Sequence, residues 1–162
     1  MQDVLWLFVY GSLKLGECND RMVKPWVLSS RLARTRGFMH LRPDRYPALF
    51  LPEHGSLGSM RYMEDLSLAE APSCDEGEEI IGQLLELSSG VENLIRLDEF
   101  EGYFPGHRSE YLRVAVSVET ARGWKPCWTY TGVEAPPKEW PLIPEWPPEG
   151  SIMKPDPYCH GL

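Results

Sequence analysis

Two carboxylates three residues apart, Asp98 and Glu101, stand in the stretch LDEFEGY from Leu97 to Tyr103. That spacing puts both on one side of a helix, and Gly102 directly after Glu101 marks where the helix stops. A carboxylate in a last helical turn meets the negative end of the helix dipole, which raises its proton affinity, and burial acts in the same direction. A glutamate tuned in this way can take and return a proton near neutral pH. The same spacing also fits a structural or solvated pair at a helix end.

A second stretch bearing on chemistry is FVYGSLKLGECN, Phe8 to Asn19, where an apolar run breaks into Tyr10-Gly11-Ser12-Leu13. Gly11 and Gly16 have the gap of a phosphate-binding loop, but Glu17 and Cys18 stand where Lys and Ser or Thr are required. No G-x-G-x-x-G is present, which removes the dinucleotide fingerprint. The stretch is then either an ordinary turn or a set of backbone N–H groups for a smaller anion. Ser12 reads as a turn former or binding hydroxyl rather than a nucleophile, because no G-x-S-x-G elbow exists.

Other reactive residues have no useful spacing. His40, His54, His107 and His160 have no i, i+4 or H-x-H partners, and Cys18, Cys74, Cys127 and Cys159 form no C-x-x-C pair. The expectation is no metal, no cofactor and four reduced thiols.

The elements that must position these residues follow from periodicity. VLWLFVY at the start is a short buried strand. ECNDRMVKPWVLSS predicts a short helix, with Met22, Val23, Trp26 and Val27 at helical spacing and Pro25 near its first turn or kinking it. Strands and turns are expected from Arg31 to Phe50, ending in RYPALF. The acidic run over 64–79 reads as a solvated loop. IIGQLLEL, from Ile80, reads as a strand whose Gly82 marks a close approach to the backbone. Ser88 and Ser89 can cap a helix with Val91, Leu94, Ile95 and Leu97 facing inward and its end at Gly102. Two strands follow, from Tyr111 and from Trp124. This order suits an α+β fold built around a curved, mostly antiparallel sheet.

The expected organisation is one domain over 1–132 and a Pro/Trp-rich tail over 133–162, in which Glu-Trp-Pro occurs at 139–141 and 145–147. So many prolines favour extended structure. The two tryptophans are expected to pack on the body, the alternatives being a flap over a site or a dimer contact. With 162 residues, 43% hydrophobic content, a formal charge of -8 and pI near 5.0, the chain has enough apolar material for one core and no basic cluster for nucleic acid. No run reaches the ~20 apolar residues of a membrane span. The reading is a soluble cytoplasmic protein, monomeric or homodimeric.

The segments FVYGSLKLGECN, RYPALF, IIGQLLEL, LDEFEGY, YLRVAV and CWTY occur in the order seen in the gamma-glutamyl cyclotransferase-like family, and the chain resembles that family over roughly residues 4 to 131. The combination of a YGS turn, a downstream LDxxEGY and then Y-x-R carries the resemblance. It implies a compact barrel-like sheet with flanking helices, one acid-base glutamate at Glu101, and a substrate-holding loop at Tyr10, Gly11, Ser12 and Leu13. Tyr111 and Tyr130 match the aromatic residues beside that glutamate, and Asp98 would orient the helix end. The implied partner is a small gamma-glutamyl substrate that is cyclised to 5-oxoproline without a cofactor or metal. A non-catalytic binding or interaction protein on the same fold is the alternative. The acidic run resembles an insertion, and the tail is longer than a minimal family domain needs.

Overall fold

In the computed structural model, which describes residues 4–51, 56–59, 62–67, 69 and 76–148, the first apolar run forms β1 (Val4–Val9). Leu5, Leu7 and Val9 pack in one buried cluster, and Phe8 packs in another with the following Tyr10. The two-residue period of a strand therefore sends apolar side chains into cores on both of its faces, and this is why no polar alternation is visible in the run.

Six further strands follow: β2 (Val27–Leu41), β3 (Pro47–Phe50), β4 (Ser56–Leu57), β5 (Glu78–Ser88), β6 (Tyr111–Thr120) and β7 (Gly123–Gly132), with helices α1 (Tyr62–Leu66) and α2 (Gly90–Glu101) between them. The strand order is β3-β2-β5-β1-β7-β6-β4, and β2 meets β6 again at Arg34 and Glu119. The sheet thus closes through β2, β5, β1, β7 and β6 into a five-stranded barrel, with β3 and β4 attached at its rim. Among the described residues every strand pairing is antiparallel except that of β1 with β7. This is the α+β, mostly antiparallel curved sheet expected from the order of elements, closed into the barrel-like sheet with flanking helices that the resemblance implied. Gly82 of β5 has the close approach expected of it: a Cβ there would stand 2.4 Å from the Val9 carbonyl oxygen.

Some local expectations need correction. In place of a helix over the stretch around Met22, the chain makes two 3-10 turns, Asp20–Met22 and Lys24–Trp26, and Val27 already belongs to β2. Pro25 lacks the amide that an α-helix would direct to the carbonyl of Arg21, so the longer helix cannot propagate. On α2 the buried residues are Gly90, Asn93, Leu94, Leu97 and Asp98, a stripe whose next member at helical spacing is Glu101. Ile95, expected on the inward face, is 42% exposed because it lies one step around the helix from Leu94. Ser89 precedes the helix without a side-chain capping bond.

Both ends of the acidic run lie in regular structure. Glu64 and Asp65 belong to α1, where Asp65 accepts hydrogen bonds from the Ser59 amide at 2.7 Å and hydroxyl at 2.8 Å. Glu78 and Glu79 begin β5. Cys18 is disulfide-bonded, which corrects the expectation of a free thiol there, whereas Cys127 is free and buried. Sequence spacing carries no information about which sulfurs meet, and a disulfide removes the thiol count as an argument for a reducing compartment. His54, His160, Cys74, Cys159 and the tail beyond Pro148 fall outside the described residues. No helix among the described residues is long and apolar enough to cross a membrane.

Between Val133 and Pro148 the chain runs without helix or named strand. The amide of Leu41 donates to the Pro141 carbonyl at 2.9 Å, and that of Ile143 donates to the Met39 carbonyl at 2.8 Å. Ile143 and Trp146 are buried, and Trp140 is half-buried. The Trp146 indole donates to the Arg45 carbonyl at 2.9 Å and stacks on Tyr46. Lys14 donates to the carbonyl of Trp146, which joins this segment to the turn after β1.

Candidate active site

β1 delivers the chain to the barrel rim at Tyr10. That ring is buried, its hydroxyl donates to the carbonyl of Tyr130 on β7, and it accepts a 3.4 Å contact from the Leu49 amide. The next residues form a tight turn in which the Lys14 amide donates to the Gly11 carbonyl at 3.0 Å. Asn19 fastens the turn from behind: its amide donates to the Ser12 carbonyl and its side-chain Nδ2 to Ser12 Oγ, both at 3.0 Å. Among the described residues the amides of Ser12 and Leu13 have no acceptor. A Cβ on Gly11 would lie 2.7 Å from Pro47 Cγ, so packing against β3 already requires a glycine here.

The inward stripe of α2 brings Asp98 and Glu101 to the same rim, in different surroundings. Asp98 is buried and accepts from Arg113 Nε at 2.9 Å and 3.2 Å and from the Tyr130 hydroxyl at 2.7 Å. Arg113 is fully buried, donates through Nη2 to the Ser59 carbonyl at 2.6 Å, and lies over the Trp128 ring. Burial pushes Asp98 above the usual carboxylate range, opposed by Tyr130 and Arg113. The aspartate thereby ties the end of α2 to β6 and β7.

Glu101 has no hydrogen-bond or ion-pair partner among the described residues. Part of its surface opens to a cavity, but it lies deep enough to lose most of its hydration, and its carboxyl is pushed up to about 8. Burial is the largest cause, Arg42 opposes it, and the nearby charges of Glu110 and Asp98 add to it. Tyr111 beside it is raised by burial and by Glu101, against the pull of Arg42. Tyr10 and Tyr130 are raised well above the usual phenol range, chiefly by burial.

The cavity has a volume of about 240 Å³. Its walls bring together all seven residues singled out from sequence: Tyr10, Gly11, Ser12, Leu13, Glu101, Tyr111 and Tyr130. Four polar residues that sequence reasoning did not assign also line it: Asn19, Arg42, Asp44 and Glu110. Arg42 donates from Nη1 to the Tyr111 hydroxyl at 2.9 Å and pairs through Nη2 with Asp44 at 3.0 Å. The Tyr111 hydroxyl in turn donates to the Pro47 carbonyl at 3.1 Å. Asn19 stood at the end of the quoted glycine-turn stretch and was the one of these within reach of a sequence signal. Arg42 sits in a mixed basic and proline-containing segment with no periodicity to single it out.

The site thus brings together backbone amides without acceptors, a carboxyl group raised above the usual carboxylate range and one guanidinium. A family model described as gamma-glutamyl cyclotransferase, AIG2-like, matches residues 65–147, just over half of the chain. Over 126 residues the chain is 32% identical to a gamma-L-glutamyl-butirosin B gamma-glutamyl cyclotransferase of Niallia circulans, an alignment covering 76% of this chain and 64% of that protein. The chain thus spans less than two thirds of that relative's length. The crystal structure of an AIG2-like protein from Mus musculus superposes with a TM-score of 0.56 at 20% identity, over 88% of each chain. That of YkqA from Bacillus subtilis gives 0.52 at 23%, over 82% of this chain and 36% of the other. At these identities the two structures establish a shared fold.

Proposed function

The chain belongs to the gamma-glutamyl cyclotransferase, AIG2-like family, and from that premise we propose that its cavity cyclises a gamma-glutamyl amide to 5-oxoproline and releases the amine, with Glu101 carrying the protons. The observation that supports this most directly is the contrast at the end of α2: Asp98 is fully engaged, while Glu101 faces the cavity without a partner and holds its proton to about 8.

The chemistry asks little covalent work of the protein. The α-amine of a gamma-glutamyl amide lies in the same molecule as the γ-carbonyl, and a folded substrate brings the two within bonding reach. Effective concentrations in such oriented intramolecular reactions reach about 10⁵ M or more. The free amides of Ser12 and Leu13 would hold the α-carboxylate. Glu101, as carboxylate, takes one proton from the α-ammonium. The freed amine attacks the γ-carbon, a C–N bond forms, and the carbonyl π electrons move to oxygen. When they return, the bond to the leaving nitrogen breaks and Glu101 gives that nitrogen its proton. A second proton passes from the ring nitrogen to the departing amine, so the lactam leaves neutral, the amine leaves as ammonium and Glu101 is restored. Asp98 acts as a positioning residue, through the arginine and tyrosine that hold the helix end.

The Niallia relative is named for gamma-L-glutamyl-butirosin B. For this chain the substrate class spans gamma-glutamyl amino acids, gamma-glutamyl amines and gamma-glutamylated biosynthetic intermediates. The test is 5-oxoproline release from gamma-glutamyl-alanine, gamma-glutamyl-ε-lysine and simple gamma-glutamyl amines, on the wild type and Glu101→Gln. Release by the wild type that vanishes in the variant is the expected result. A Glu101→Gln protein as active as the wild type would remove Glu101 from the reaction.

A further inference from the structure

The step that forms the C–N bond places negative charge on the γ-carbonyl oxygen, and cyclisation is helped by a donor aimed at it. The tyrosine hydroxyls of the site are committed elsewhere: Tyr10 donates to the Tyr130 carbonyl, Tyr111 to the Pro47 carbonyl and Tyr130 to Asp98, and the Tyr46 hydroxyl meets the disulfide-bonded Cys18 Sγ at 4.0 Å. Asn19 Nδ2 is bound to Ser12 Oγ, and the Ser12 hydroxyl belongs to the turn whose amides would take the α-carboxylate. What remains is Arg42, the one cationic side chain among the described residues lining the cavity. A guanidinium carries five N–H donors. Arg42 spends one on Tyr111 and one on Asp44, its Nε has no partner, and its charge is the strongest charge acting on Glu101. Its guanidinium also lies over the Tyr111 ring, 5.3 Å from the centroid, so ring, hydroxyl and carboxylate hold the fork in place before substrate arrives.

We propose that Arg42 is a catalytic residue of this site, donating hydrogen bonds to the γ-carbonyl oxygen of the gamma-glutamyl substrate and stabilising the oxyanion that forms as the α-amine attacks. This rests on the cyclotransferase reading above. The donor is always charged and takes no part in proton transfer. Tyr111 and Asp44 contribute by orienting it.

The experiment is steady-state kinetics of 5-oxoproline release by wild type, Arg42→Met, Arg42→Lys and Ser12→Ala, on whichever gamma-glutamyl compound of the panel the wild type turns over. Arg42→Met is expected to lower kcat by about 10²–10³-fold with KM changed less than about threefold, since the interaction strengthens only in the transition state. Arg42→Lys keeps the charge beside Asp44 and should recover part of the loss, and Ser12→Ala, which removes the competing hydroxyl donor, should lower kcat less than Arg42→Met does. A rise in KM of tenfold or more with kcat retained would overturn the assignment, because it would place Arg42 on a ground-state carboxylate. A kcat loss in Ser12→Ala matching that in Arg42→Met would move the oxyanion donor to the serine. Should Arg42→Met fail to fold, Arg42→Lys decides: a tenfold or larger fall in kcat supports the role, and a fall under twofold ends it. A wild type that releases no 5-oxoproline from any compound removes the cyclotransferase reading itself, and this assignment with it.

Discussion

Asp98 and Glu101 belong to the same helical stripe, three residues apart, yet the protein gives them opposite surroundings. Around Asp98, β6 supplies a fully buried arginine and β7 a phenol, so both carboxylate oxygens accept a hydrogen bond and the carboxylate is a structural joint. Around Glu101 there is a cavity, one guanidinium at a remove and two other carboxylates that raise its proton affinity. Helical spacing supplies two acids on one face. Partnership then decides which of them is held still and which is left free to exchange a proton.

Glu101→Gln should separate the two positions most sharply. Loss of a general acid-base group costs about 10²–10⁴-fold in turnover, whereas the fold should gain. The carboxyl holds its proton to about 8 in the folded protein against a normal value of 4.5. Its stability contribution is therefore complete below about 4.5 and is lost as pH rises through about 8. Glutamine does not ionise, so the melting temperature of Glu101→Gln should exceed that of the wild type by a margin that widens from pH 5 to pH 8 in a thermal-melt series. An unchanged margin would mean that the glutamate is not held protonated by burial.

Asp98→Asn should do the reverse. It leaves the buried Arg113 without its counter-charge, a defect of about 3–5 kcal/mol, visible as a lower denaturant midpoint. Turnover per folded molecule should fall less than in Glu101→Gln. If Asp98→Asn proved stable and inactive while Glu101→Gln proved unstable, the two roles would have to be exchanged.

Trp146→Ala carries the comparison to the tail segment, which backs the cavity-lining Tyr46 and reaches Lys14. Truncating a buried tryptophan costs about 3 kcal/mol or more. Chemical denaturation would measure this, and a cost under about 1 kcal/mol would show that the segment rests on the barrel without supporting it. The smallest effect is expected from Glu110→Gln. Glu110 is exposed, and its charge helps to raise Glu101. Its neutralisation should lower the ascending limb of the kcat/KM profile by less than about one pH unit, and a limb moving upward would contradict the sign of that interaction.

Much of the candidate site was legible because its parts lie in short contiguous stretches. Tyr10 to Leu13 is a strand end, and Glu101 precedes a helix-terminating glycine. Tyr111 and Tyr130 sit on strands recognisable by their alternation. The family resemblance added the expectation that these pieces converge. Arg42 escaped because its role depends on Tyr111, 69 residues away, and nothing local marks it. The expected helix near Met22 failed where one missing amide outweighed the apolar spacing, and Ile95 was misplaced because a stripe one step wide separates buried from exposed.

Sequence by itself determined β1, β5, β6, β7 and α2, the α+β class and the presence of two acids on one helical face, since each depends on local periodicity and on where glycine and proline interrupt it. Tertiary structure decided the rest. Closure of β2 onto β6 made the sheet a barrel, Arg113 and Tyr130 claimed Asp98, and the cavity was left to Glu101 and Arg42. Proton affinity and hydrogen-bond partnership depend on burial and on charges brought from distant parts of the chain, and no local pattern encodes them.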